Sequence, residues 1–471
     1  MSRIRSMRGF LASSVGVTCA AALALPLALP ASPAQAGPSA VTSEAAAPGS
    51  TQSLPLVPLA GERALGPATP EQGLARRSVR PFSLVGVVWD DPNTELNGRV
   101  QVRTRETGTG HWSGWQDVET HNDEHAADPD TPEGASRRVH GSTAPLWVGD
   151  SDGVEVRVDA EQAVREAADS PEEGARESPG EERVAAPAHS PLPGGLHLEL
   201  VDPGGDPPHP DARTAGRAGG APSGVRAKGV HAGAPDGDMG AGATEITALS
   251  REETERAYFP DDMAEQRAMP YIGPRPRIIT RRGWGANENL RERGFLYTKS
   301  VKAAFVHHTA SGNKYSCSQV PSIIRSIYRY HVVSSGWRDI GYNFLVDRCG
   351  NIYEGRAGGV AKAVMGAHTR GFNTNSMGIA VIGTFGSTKP TDAALKAISR
   401  LTAWKLGLYG ANPRGKTYLK SAGGNLYRKG KNVRLNVISG HRDGFATECP
   451  GRLLYGKLGS ARTTAARYQG R

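Results

Sequence analysis

Aromatic residues make up only 6% of this 471-residue chain and hydrophobic residues 38%. That is too little apolar material to pack a core along the whole length. Part of the chain is therefore expected to be unstructured, although its length allows about three domains at roughly 150 residues each. Cysteine is scarce as well, with four in all. Acidic residues are in deficit, 47 Asp and Glu against 56 Lys and Arg, a formal charge of +9. A basic excess of this kind suits an anionic partner. Nothing in the chain resembles a nucleic-acid module, so nucleic acid is excluded as that partner.

The one long apolar run lies at the start. Arg3, Arg5 and Arg8 precede residues 10–29, and Ala34-Gln35-Ala36 follows as a small-residue cleavage site. Residues 1–36 therefore read as an export signal, with a membrane anchor as the alternative. Its removal takes away three arginines and no acid, lowering the charge from +9 to +6. A secreted protein is expected, held electrostatically by anionic cell-wall polymers, or else merely carrying a solvated basic surface. The exported chain keeps Cys317, Cys349 and Cys449. Outside the cytoplasm two of three should pair and the third needs an explanation. If Cys317 pairs with Cys349, Cys449 is left for metal ligation; alternatively Cys449 joins a disulfide and another thiol stays free.

Composition and patterning divide the rest. Residues 37–80 are rich in Ala, Pro and Ser and read as a disordered leader. Residues 81–204 form a small all-β module, with buried or alternating runs at 84–89, 100–104, 146–148, 154–158 and 196–201, expected to make a sandwich. Residues 160–193 read as a disordered insertion in it. Trp112 and Trp115 are assigned to its core, with a sugar-stacking face as the alternative. Residues 205–273 form a linker, flexible where Gly and Pro dominate and with a short charged helix beginning near Glu252.

Residues 274–471 are denser. Strands at 303–307, 341–347 and 377–383 alternate with a helix capped by Ser318 and a longer one capped by Thr391. This predicts an α/β domain with a central mixed sheet flanked by helices. The third strand is apolar throughout, as a central strand would be. Residues 414–434 read as an exposed basic hairpin. His331 falls on the apolar face of the first helix and reads as a core histidine.

Two stretches carry chemistry. Residues 303–307 form an apolar strand that ends at His307, with His308 beside it. Residues 441–451, His-Arg-Asp-Gly-Phe-Ala-Thr-Glu-Cys-Pro-Gly, place His441 and Cys449 together. Two imidazoles and a thiolate would hold zinc tetrahedrally with one position open, the arrangement of a catalytic site.

These motifs, with Arg-Gly-Trp-Gly-Ala at 282–286, Val-His-His-Thr at 306–309, Asp-Ile-Gly-Tyr-Asn-Phe at 339–344, Tyr-Glu-Gly-Arg at 353–356, Gly-Ala-His-Thr at 366–369 and Asn-Ser-Met-Gly-Ile at 375–379, resemble the peptidoglycan recognition protein and type-2 N-acetylmuramoyl-L-alanine amidase family. The resemblance covers residues 277–458. It implies Zn2+ as cofactor, His307, His441 and Cys449 as its ligands, and Tyr342 and Thr447 as catalytic residues. Arg356, His368 and Asn373 are the candidates for substrate binding, a structural turn being the alternative for His368. The implied activity is hydrolysis of the amide between N-acetylmuramic acid and the L-alanine of the stem peptide. The implied partners are peptidoglycan or muropeptides. A recognition protein that binds without turnover is the alternative, and Cys449 argues against it. Glu448 is expected to be a solvated carboxylate, and His308 to support the site without ligating. Tyr-Glu-Gly-Arg continues here as Ala357-Gly358, where many animal relatives have Gly-Trp, so their stem-peptide preference does not carry over.

Overall fold

The computed structural model describes residues 48–59, 71–161, 190–206, 243–259 and 271–471. The export signal at 1–36 and most of the insertion at 160–193 lie outside these residues. No described helix is long and apolar enough to cross a membrane.

The N-terminal module is one antiparallel sheet of β1 (Ser50–Pro55), β2 (Val57–Pro58), β3 (Glu71–Trp89), β4 (Gly98–Glu106), β5 (Gln116–Val118), β6 (Gly141–Ser142), β7 (Leu146–Ala160) and β8 (His197–Asp202). Its main path runs β1-β8-β3-β7-β4-β5. The expected two-sheet sandwich is replaced by a single sheet that curls. The 19-residue β3 changes register with β7 three times, between Leu74 and Arg77, Ser78 and Phe82, and Phe82 and Leu84, and such irregularities bend a strand. As a result Leu54 at one edge shares a hydrophobic cluster with Val118 at the other, around Val85, Val100, Val156 and Leu198. Order also starts earlier than position 81. Residues 50–55 pair with β8 through the backbone, and only Leu54 and Leu56 join the core, so an edge strand of this kind shows little apolar periodicity. Trp112 and Trp115 are not core residues. Both are partly exposed, and arginine guanidinium groups cover their rings, Arg76 at 4.5 Å from Trp112 and Arg157 at 4.5 Å from Trp115.

The C-terminal domain is α/β. It begins inside the expected linker, with β9 (Glu245–Ile246) and α1 (Arg251–Tyr258), followed by β10 (Ile278–Ile279). β9 adds an edge to β10, and Tyr258 of α1 packs on Trp404. The charged surface of α1 hid these few anchors. Next come β11 (Ala303–His308), α2 (Val320–Arg329), β12 (Phe344–Val346), β13 (Ile352–Glu354), β14 (Ser376–Val381), α3 (Asp392–Gly407), β15 (Lys416–Lys420), β16 (Asn432–Asn436), β17 (Ile438–Gly440), α4 (Arg452–Tyr455) and α5 (Leu458–Tyr468). The seven-stranded mixed sheet runs β17-β11-β14-β12-β13-β10-β9. β14 lies between β11 and β12 and is parallel to both, which explains its apolar sequence.

Alternation along β11 sorts its side chains. Ala304 and Val306 pack in the cluster with α3 and α5, while Phe305 packs with Phe372 and the β15–β16 hairpin. That hairpin turns Leu419, Val433 and Leu435 inward and leaves Lys416, Lys420 and Arg434 exposed. Cys317 and Cys349 form a disulfide, and Cys449 is free and buried. The Thr391 hydroxyl caps α3 by accepting from the Ala394 N–H at 3.2 Å. Ser318 does not cap α2: it lies within a 3-10 turn at Cys317–Gln319 whose N-cap is Ser316, and the N-cap of α2 is Gln319, with no side-chain cap.

The two parts dock face to face. Leu84, Val88, Trp147 and Val201 of the module share one cluster with Val320, Ile323, Ile324, Ile327 and Tyr330. The Tyr330 hydroxyl lies against Gly86 and donates to the Thr143 carbonyl at 3.1 Å. A Cβ at position 86 would collide with that hydroxyl, so only glycine permits this approach.

Candidate functional site

The site lies at one edge of the sheet, where parallel strands release their C-terminal residues, the usual place for a crevice in an α/β domain. β17 runs parallel to β11 with Val306 opposite Gly440. His307 and His441 are therefore the next residues on neighbouring strands, and register alone brings them together across 134 positions of sequence. A 3-10 turn at His441–Asp443 follows. The chain returns so that the Arg442 N–H donates to the Cys449 carbonyl at 3.1 Å and the Cys449 N–H donates to the Thr447 hydroxyl at 3.1 Å. The His308 N–H donates to the Cys449 Sγ at 3.4 Å.

The cluster has a fourth member that the C-terminal domain does not contribute. His125 of the N-terminal module joins His307, His441 and Cys449, and their donor atoms all lie within 4.8 Å of one another. Cys449 Sγ is 3.6 Å from His125 Nε2 and 3.8 Å from His307 Nδ1. Tetrahedral zinc with Zn–N near 2.0–2.1 Å and Zn–S near 2.3 Å places nitrogen and sulfur about 3.6 Å apart. The donors therefore stand at metal-ligand spacing. Neither ring nitrogen of His441 makes a hydrogen bond of good geometry, the Glu124 backbone giving only a weaker contact, and Nδ1 of His125 makes none; buried polar atoms without good partners call for an explanation such as an ion. Burial, followed by the neighbouring imidazoles, pushes the pKa of His125 and His307 far below the usual histidine value, and burial does most for His441. Neutral rings are the form a metal takes. The residues fit a zinc ion.

His368 was expected in the substrate groove and is placed elsewhere. It is fully buried behind His307, with Nδ1 3.2 Å from His307 Nε2 and 3.0 Å from the Thr369 hydroxyl. Gly378 on β14 makes room for its ring. A partner on the far nitrogen fixes the tautomer and orientation of a metal-binding imidazole, and that is what His368 can do here. His331 stacks on Trp337 at 4.4 Å and is a core histidine. Glu448 is exposed and pairs with Arg442 at 3.1 Å.

Tyr342, Thr447, His308 and Cys449 line a cavity of about 380 Å³ beside the cluster. Tyr342 is buried, its ring 5.6 Å from that of His307, and burial pushes its pKa well above the usual phenol value. Its hydroxyl therefore remains a proton donor. Thr447 lines that cavity, Asn373 and Arg356 do not, and each of the three holds a residue of the N-terminal module. The Thr447 hydroxyl donates to Glu124 Oε1 at 2.8 Å. Asn373 Nδ2 donates to Asp128 Oδ1 at 2.8 Å and to the Ala126 carbonyl at 2.9 Å. Arg356 grips Glu133 with two hydrogen bonds of 2.8 Å in a buried pair. Burial would raise the Glu133 carboxyl, but the Arg356 charge holds it below the usual range. Glu124, without such a partner, is raised to about 8 by burial and by Asp123.

Glu124, His125, Asp128 and Glu133 were not legible in the sequence. The run 121–133 has no strand or helix period, and its composition reads as surface loop. The only available signal was two histidines and several carboxylates at 121–128, just before a turn-rich stretch.

An α/β domain with a His, His and Cys cluster at its strand ends is the frame of a hydrolase, or of a binding protein built on the same plan. Residues 297–452 match the family described as N-acetylmuramoyl-L-alanine amidase. Residues 35–182 match the family described as Rv3811 N-terminal galactose-binding domain-like. Peptidoglycan-recognition protein SC1a of Drosophila melanogaster is 31% identical over 192 residues, 40% of this chain and 87% of that protein. An N-acetylmuramoyl-L-alanine amidase of Homo sapiens is 31% identical over 185 residues, 39% of this chain and 28% of that protein. A solved structure of peptidoglycan recognition protein-LE with tracheal cytotoxin is 33% identical and covers 39% of this chain and 92% of that one, with a TM-score of 0.30. The chain belongs to the peptidoglycan recognition protein and type-2 N-acetylmuramoyl-L-alanine amidase family. Membership supports peptidoglycan binding or amidase action as its function.

Proposed function

We propose that the chain is an exported zinc-dependent N-acetylmuramoyl-L-alanine amidase, with His307, His441 and Cys449 as the zinc ligands of its C-terminal domain. The observation that carries this reading is the 3.8 Å approach of Cys449 Sγ to His307 Nδ1 beside a His441 whose ring nitrogens make no hydrogen bond of good geometry. When bound, zinc polarises a carbonyl oxygen and makes water a nucleophile at neutral pH. The protein's own part is positional. His368 holds the His307 ring through Nε2. Tyr342 keeps its proton and can donate a hydrogen bond to the carbonyl oxygen as charge develops on it; one such donor is typically worth about 10²–10³ in rate. Thr447 orients the attacking water or the substrate, since a neutral hydroxyl is too weak a base to take the water's proton. Asn373 and Arg356 offer donors to an anionic peptide.

Export rests on residues 1–36, and the basic balance of the remaining chain suits anionic cell-wall polymers. The test is mass analysis of muropeptides incubated with the zinc-loaded full chain and with its His125→Ala variant. New peptides beginning at L-alanine are expected from at least the variant. Intact lactyl-peptide links with both proteins would overturn the amidase reading and favour binding without turnover.

A further inference from the structure

Catalytic zinc needs one coordination position free for water or substrate. In this chain a segment of the N-terminal module brings His125 into the cluster of His307, His441 and Cys449. After β5 the chain enters a single 3-10 turn at Asp123–His125, and Asn122, Glu124, His125, Asp128 and Glu133 are all buried. A surface loop seldom buries three carboxylates and an imidazole, and it does so only where partners receive them. Here Thr447, Asn373 and Arg356 are among the partners that receive them.

We propose that His125 is a fourth protein ligand of the zinc, and that residues 122–133 occupy the substrate groove as an intramolecular plug, so that the folded chain is latent. This rests on the zinc amidase reading above. Three independent observations support it. His125 Nε2 lies at ligand spacing from Cys449 Sγ, and its other ring nitrogen is buried without a hydrogen bond. The plug meets Thr447, Asn373 and Arg356 in turn, the same side chains that would hold an anionic peptide. Peripheral pairs fasten its rim, Lys429 with Asp130 at 2.6 Å and Arg138 with Glu292. Four protein ligands make a closed set, the pattern of structural rather than catalytic zinc. Turnover then requires that His125 leave and that residues 122–133 lift from the groove. The muropeptide sees only the fraction of molecules in that open state, and its affinity is lowered by that fraction.

Cobalt(II) in place of zinc reports the coordination directly. The full chain, His125→Ala and Glu133→Gln are each loaded with cobalt and titrated with azide, a small ligand that needs an open position. Binding of a muropeptide is measured in parallel by calorimetry. The wild-type visible spectrum is expected to be indifferent to azide, whereas the His125→Ala spectrum shifts. Muropeptide affinity should rise about tenfold or more in both variants, because each loosens the plug. Glu133→Gln leaves all four ligands in place and covers the case in which His125→Ala fails to fold. An azide-sensitive wild-type spectrum with unchanged muropeptide affinity in the variants would overturn the plug and leave the amidase reading standing. Failure of all three proteins to bind cobalt would sink both.

Discussion

Two of the contacts between the N-terminal module and the C-terminal domain differ in their chemistry. Along α2 the contact is mainly apolar, Leu84, Val88, Trp147 and Val201 interleaving with Val320, Ile323, Ile324 and Ile327 alongside an Arg325–Asp206 pair at 2.6 Å. Over the site the contact is polar: Glu124, His125, Asp128 and Glu133 answer Thr447, Cys449, Asn373 and Arg356. Apolar burial is non-directional and suits a permanent seam. Paired, buried charges are costly to bring together and contribute specificity more than net stability. The difference implies that the seam keeps the module attached while the cover can be exchanged for another ligand with the same groups.

Substitutions can break either side of that comparison, and the largest effect is expected in the cover. Arg356→Ala leaves the Glu133 carboxylate buried and unpaired, which costs about 3–5 kcal/mol. Hydrogen exchange should accelerate across residues 122–133, and unchanged protection there would mean that the pair does not hold the cover. In the seam, Ile324→Ala removes buried methyl groups at a cost of about 2–5 kcal/mol. The midpoint of urea unfolding should fall while the cobalt spectrum of the site stays the same. Gly86→Ala would press a methyl group onto the Tyr330 hydroxyl, an overpacking cost of about 1–3 kcal/mol. Its expected signature is a lower melting temperature; an unchanged one would show that the Tyr330 ring can move aside. The smallest effect is expected behind the site. His368→Ala should weaken zinc binding by about 10–100-fold, as loss of a partner to a metal-bound imidazole typically does. A competition titration with a chelator measures it, and undiminished affinity would remove His368 from the site.

Much of the C-terminal domain was legible in the sequence because its signals are local. The apolar run at 303–307 became β11, the apolar 377–383 became the central β14, and Thr391 caps α3 as its position suggested. The gathering of His307, His441 and Cys449 followed from motif order and is explained by the β11–β17 register. Other features rest on long-range placement. β1 owes its order to backbone pairing with β8, so its own side chains hardly announce it. β9 and α1 are short and polar with a few buried anchors. His368 reads like a groove residue, yet room made by Gly378 lets it turn inward. His125 lies 324 positions from Cys449 in a stretch without periodicity. No local pattern distinguishes such an imidazole from a surface histidine.

The most direct test of the zinc site is elemental analysis of the purified full chain beside Cys449→Ala. About one zinc per chain is predicted, held less tightly against a chelator in the variant, which keeps the imidazoles of His125, His307 and His441. An absence of zinc in the wild-type protein, even after reconstitution, would contradict the His307, His441 and Cys449 site and leave a peptidoglycan-binding protein in its place.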